Sequence, residues 1–151
     1  KSMTGAAIEH ASYNGGIAAV NGVITAQVDF AFVPLPAALP FLHGGGIKAL
    51  GIADRARYPG LPAVPTISEA GVRGYEAAAW YAVYAPAGTP QETVSLLNYA
   101  LVKGLASEQT RRLLLSQGLQ AAPSTPGELA AQMRGERAKW DAVVKSLTPP
   151  R

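Results

Sequence analysis

The sequence predicts an α/β fold with a mostly parallel sheet flanked by helices, and three observations predict it. Apolar runs of strand length alternate with stretches of helical periodicity: 28–33, then 37–42, then 47–53. The links between them are short, which favours parallel pairing through right-handed crossovers. A chain of 151 residues with 48% apolar and 15% charged side chains has the composition and the length for a buried core.

Taken in order, residues 1–7 read as the frayed end of a helix whose beginning is missing, and 8–12 as a short strand. Tyr13, Asn14, Gly15 and Gly16 turn that strand into a helix from 17 to about 26, where Ile17, Val20, Val23 and Ile24 recur at helical spacing. Residues 28–33 form a buried type of strand, closed by Pro34 and Pro36, which suit a turn and the opening of a short helix over 37–42. The run His43-Gly44-Gly45-Gly46 stops that helix, with glycine available for a left-handed cap. The next strand is 47–53. After a proline-rich loop, Thr66 and Glu69 form a capping signature for one helical turn ended by Gly71.

Residues 77–85, with Trp80, Tyr81 and Tyr84, read as an aromatic strand. Thr89 is placed as the cap of a helix with Pro90 at its first position, running to about 105 with Val94, Leu97, Leu101 and Leu105 on one face. Ser107 caps a further helix that Gly118 ends, 119–123 is extended, and Thr125-Pro126 opens a last helix to about 147.

Several function classes lack support. The net charge of +3 is spread over scattered lysines and arginines, so no basic stripe points to nucleic acid. Cysteine is absent, which removes disulfides, thiol chemistry and cysteine-based zinc sites. His10 and His43 lack metal-motif spacing. The run His43-Gly44-Gly45-Gly46 resembles an esterase oxyanion loop, but no Gly-x-Ser-x-Gly elbow accompanies it. No cofactor, metal or catalytic residue is expected. The chemistry that remains is at Tyr13-Asn14-Gly15-Gly16, because a strand turning through glycines into a helix presents unpaired N–H groups of Gly16, Ile17 and Ala18 to an anion.

These pieces resemble the C-terminal half of Bug-type solute-binding proteins, the extracytoplasmic receptors of tripartite tricarboxylate transporters. Tyr13-Asn14-Gly15-Gly16 stands for the family's Tyr-Lys-Gly-Gly turn, and Ala26-Gln27-Val28-Asp29 is similar to its Gly-Gln-Val-Asp. Leu61-Pro62-Ala63-Val64-Pro65-Thr66, Glu69-Ala70-Gly71-Val72 and Trp80 with Tyr84-Ala85-Pro86-Ala87-Gly88-Thr89-Pro90 are the most specific tags.

The resemblance implies a type II periplasmic-binding-protein-like fold of two lobes closing on a small organic carboxylate. It implies a periplasmic location and the membrane components of a transporter as partners. Full members are longer and begin with a signal peptide, so the chain is expected to be a fragment. In that reading 1–81 is part of the second ligand-binding lobe. Residues 82–151 then form the crossover and the helices that pack on an absent first lobe, and the fragment self-associates or pairs with the missing N-terminal half.

Asn14 replaces the family's lysine, and Val33-Pro34 and Ala37 replace polar residues, which favours acids with an apolar body. Asp29 either orders its turn or touches ligand; Trp80 and Tyr81 either line the cleft or pack; Tyr13 closes over ligand or simply flanks the turn. Two alternatives remain at this stage: the ligand-sensing domain of a bacterial transcription regulator, or a truncated chain without activity of its own.

Overall fold

A computed structural model describes residues 3–147; of the expected frayed helix end, Lys1 and Ser2 lie outside the described residues. Five helices follow in order: α1 (Gly16–Ile24), α2 (Leu35–His43), α3 (Gln91–Ala106), α4 (Glu108–Ser116) and α5 (Pro126–Leu147).

The chain divides into two units, neither of them continuous. One gathers Ala7–Tyr81 with Arg112–Gln120; the other gathers Ala82–Arg111 with the segments that precede residue 7 and follow residue 120. The boundary after Arg111 falls inside α4.

In the first unit, α1 packs on α2, with Val20 and Ala38 among its few buried apolar side chains. All of its helix ends close in the same way. After α2, Gly45 takes φ +71°, its N–H donates to Leu42 O, and the Gly46 N–H donates to Phe41 O. After α4, Gly118 takes φ +80°, with Gly118 N–H on Leu115 O and Leu119 N–H on Leu114 O. These are Schellman closures, in which glycine supplies the left-handed residue. The end of α1 repeats the pattern with Ala26 at φ 54°. Its N–H meets Val23 O, and the Gln27 N–H meets Gly22 O.

The expected parallel sheet is the main correction. Among the described residues no strand forms; the segments expected at 8–12, 28–33, 47–53 and 77–85 run extended or irregular. The nearest approach to a ladder is a single parallel bridge between Ile52 and Thr66. There the Ile52 N–H donates to Pro65 O and the Ile67 N–H to Ile52 O, each at 2.9 Å, and the Ala77 N–H then reaches Ala53 O. Residues 52 and 53 thus bond to different neighbours, so no register is carried on. Pro65 has no N–H to extend it.

The capping signature at 66 is present: Thr66 N–H meets Glu69 Oε2 at 2.7 Å and Glu69 N–H meets Thr66 Oγ1 at 3.0 Å. Arg57 holds the same Glu69 at 2.8 Å and reaches Pro62 O. Tyr58, buried, donates its hydroxyl to Leu115 O and so fastens the end of α4 into this unit. Burial also raises the Tyr58 pKa.

In the second unit, α5 opens on a second capping box, Thr125 with Glu128, and Pro126 leads the helix. The α3 start differs from expectation by one position. Pro90 is the cap residue, and the Thr89 hydroxyl donates to Pro86 O instead of to the helix. The half-buried line of α3 is Val94, Asn98, Val102 and Leu105, whereas Leu97 and Leu101 stay 50% and 41% exposed. Asn98 explains the shift, since its amide donates to Ser124 O at 2.8 Å.

Candidate functional site

Gly15 and Gly16 do different work at the start of α1. Gly15 is the cap residue at φ 94°, ψ 170°, a region open essentially to glycine alone. Space around it is open. Gly16 has no such φ; its constraint is contact. A Cβ built there would stand 2.9 Å from the Ala37 Cβ, 3.4 Å from Pro34 Cδ and 3.6 Å from Val33 Cβ. The missing side chain lets the start of α2 come up against the start of α1.

The first helical bond in α1 runs from Ala19 N–H to Gly15 O at 3.2 Å. The N–H groups of Gly16, Ile17 and Ala18 precede it, so helix geometry directs them forward off the end, and no side chain caps them. The helix dipole adds the equivalent of about half a positive charge there. Asn14 and Ile17 are exposed, and Ala18 is half-buried.

The opening of α2 offers a wall more than donors. Pro36 has no N–H, and the Ala37 N–H is taken by Pro34 O at 3.0 Å. Gly118 closes the other side of that opening, its Cβ position lying 3.0 Å from Pro36 N. The structure therefore joins Gly15, Gly16, Ile17, Ala18, Val33 and Pro34 in one place, with Ala37 as a floor. An acid would meet backbone N–H groups on one side and apolar surface on the other.

Two expected site residues lie elsewhere. The Tyr13 ring lies back along α1 with its hydroxyl over Gly22. Asp29 is exposed and follows Val28, whose N–H is bonded to Gly22 O, so it sits by the far end of α1. Four residues of extended chain then lead from Asp29 back to Val33 beside Gly16. A separate open depression of about 590 Å³ lies at the other end of α2, lined among others by His43, Lys48, Leu50 and Val64.

Sequence reasoning read Ala37 as a lost polar group and Gly118 as a helix stop, and missed that Ala37 meets Gly16 and that Gly118 lies against the start of α2. Both contacts join positions distant in sequence, which no local pattern records.

A family model described as "Tripartite tricarboxylate transporter family receptor" matches residues 1–148. The BugT protein of Bordetella pertussis is 33% identical over 146 residues, which cover 94% of this chain and 44% of that protein. Among solved structures, "R. palustris Rpa4515 with adipate" superposes with a TM-score of 0.86 at 35% identity. That match covers 95% of this chain and 48% of the other. The periplasmic binding protein BugD gives a TM-score of 0.72 at 28% identity over 85% of this chain and 44% of that chain. The chain thus spans a little under half the length of these relatives.

Proposed function

The chain belongs to the tripartite tricarboxylate transporter receptor family, and from that premise we propose that it serves a periplasmic receptor with a type II binding-protein fold. The receptor captures a small organic carboxylate and delivers it to the membrane components of a transporter. The observation that carries this reading is the uncapped start of α1, where the N–H groups of Gly16, Ile17 and Ala18 face outward beside the apolar Val33 and Pro34. Donors next to an apolar wall suit an acid with an aliphatic body. The adipate that accompanies the R. palustris protein in its solved structure is an acid of that kind. The receptor acts by binding alone, since no nucleophile–base pair marks the sequence; turnover of ester substrates would contradict this.

Isothermal titration with adipate, benzoate and citrate, in the intact receptor that carries this chain, tests the reading. Ile17→Pro removes one N–H from the first turn, where proline is tolerated, and Gly16 before it has no Cβ to clash. Losing one hydrogen bond to a charged group costs about 1.5–3 kcal/mol, so affinity for the acid should fall about tenfold or more while the melting temperature holds. Unchanged affinity, or tight citrate binding with no response to adipate or benzoate, would reject the assignment.

A further inference from the structure

Helix α3 has two unlike sides. One is the half-buried line that includes Asn98, anchored by the amide bond to Ser124 O at 2.8 Å. From the far side project Glu92, Leu96, Tyr99 and Lys103, all of them exposed. Leu96 and Tyr99 are 67% and 65% exposed, more than Leu97 and Leu101, which border the half-buried line. Among the described residues neither Glu92 nor Lys103 forms an ion pair.

The four far-side residues recur at intervals of four, three and four, the seam spacing of paired helices. That series reads the same in both directions. Its chemistry does too, apart from sign: a charge, two large apolar groups, then the opposite charge. A copy of α3 laid antiparallel, about a two-fold axis midway between positions 96 and 99, sets Leu96 against the partner's Tyr99. The same axis sets Glu92 against the partner's Lys103, and symmetry makes each pair occur twice. Ser95 and Ala100 flank the seam, are related by that axis as well, and are small enough to let two helices approach. A parallel pair would instead oppose glutamate to glutamate and lysine to lysine.

We propose that this side of α3 is a self-association surface, through which two copies of the receptor that carries this chain meet as an antiparallel two-fold dimer. Leu96 and Tyr99 supply the apolar centre, and tyrosine is favoured in such centres. Glu92 and Lys103 set the direction. The occupant follows from self-complementarity, because one short stretch supplies both halves of every pair. The seam runs for about 17 Å at the standard helical rise. That is short of a standard interface, so the dimer dissociates in the micromolar range. The inference uses neither the glycine turn nor a bound acid.

Sedimentation of the intact receptor over a range of concentrations, without ligand, tests it. Mass should rise from one copy to two in the micromolar range. Leu96→Glu should raise the dissociation constant about tenfold or more. Glu92→Lys opposes lysine to lysine at both ends and should weaken association about tenfold. Adding Lys103→Glu to that variant restores opposite charges and should recover most of the loss. A monomer at every concentration up to the millimolar range overturns the proposal, and is the result expected if anything other than a second copy covers this face. A dimer indifferent to Leu96→Glu, or one that the charge swap fails to recover, overturns it by placing the contact elsewhere. Should Leu96→Glu lower the melting temperature, the charge swap alone decides, since it neither adds nor removes apolar surface.

Discussion

A methyl group at position 16 would stand 2.9 Å from the Ala37 Cβ, closer than two carbon atoms pack without displacement. Overpacking of this kind costs about 1–3 kcal/mol, so Gly16→Ala should lower the urea midpoint by a corresponding amount. Ala37→Gly in the same chain makes room for that methyl and should restore most of the loss, since contacting residues couple. Absence of the rescue would place the strain elsewhere. Ala26 gives the opposite expectation. It holds φ 54° at the close of α1, where left-handed backbone costs a residue with a side chain about 1–2 kcal/mol. Glycine there loses about 0.4–1 kcal/mol through greater freedom in the unfolded chain. Ala26→Gly should therefore stabilise by up to about 1 kcal/mol, checked by thermal melting. The resembling motif carries glycine at that position.

Local signals mark the starts of α4 and α5, though the start of α3 lies one position from its Thr89 signal, and the box at Thr66 and Glu69 is the best case. Thr66 with Glu69 and Thr125 with Glu128 hold both carboxylates below the ordinary range, chiefly through the backbone N–H of the paired threonine, with Arg57 assisting at Glu69. A lowered folded-state pKa contributes stability above the unfolded value of 4.5 and loses it as pH falls through the folded value. The urea midpoint should fall on going from neutral pH to below 4, and Glu69→Gln with Glu128→Gln should flatten that fall. An equally steep curve in the double variant would show other groups to be responsible. The same locality explains what was legible. The glycine turn, the stop at His43-Gly44-Gly45-Gly46 and the proline-led starts of α2 and α5 each rest on residues within a few positions. That no ladder forms among the described residues was not legible in this way, because the apolar runs at 28–33 and 47–53 state which side chains are apolar but not which segment will bond beside them. The face of α3 was misjudged for a related reason: Asn98 turns inward for a carbonyl at Ser124, and periodicity weighs only apolar residues.

Among the described residues the buried apolar side chains are Val20, Ala38 and Tyr58. Neither α3 nor α4 has a buried residue among those described. Apolar burial contributes about 25 cal/mol per Å², so this deficit is large beside a net domain stability of about 5–15 kcal/mol. The isolated 151-residue chain should bind an apolar dye strongly and melt over a broad range. A sharp two-state melt without dye binding would show that the exposed faces of α3 and α5 close on the chain itself.

The interrupted course of the two units bears on how such a receptor can be cut and recombined. Tyr58 finds its acceptor at Leu115 in α4, and Gly118 just after that helix covers the start of α2, yet the chain reaches both only after traversing α3. A protein ended at residue 81 would retain every residue of the glycine turn and still lose the strap over its wall. If the glycine turn is the acid site proposed above, gene exchange carries solute preference only when the donor supplies the stretch equivalent to 112–120 along with 7–81. Inheritance of that surface is then not modular, though each helix in it is built from local rules.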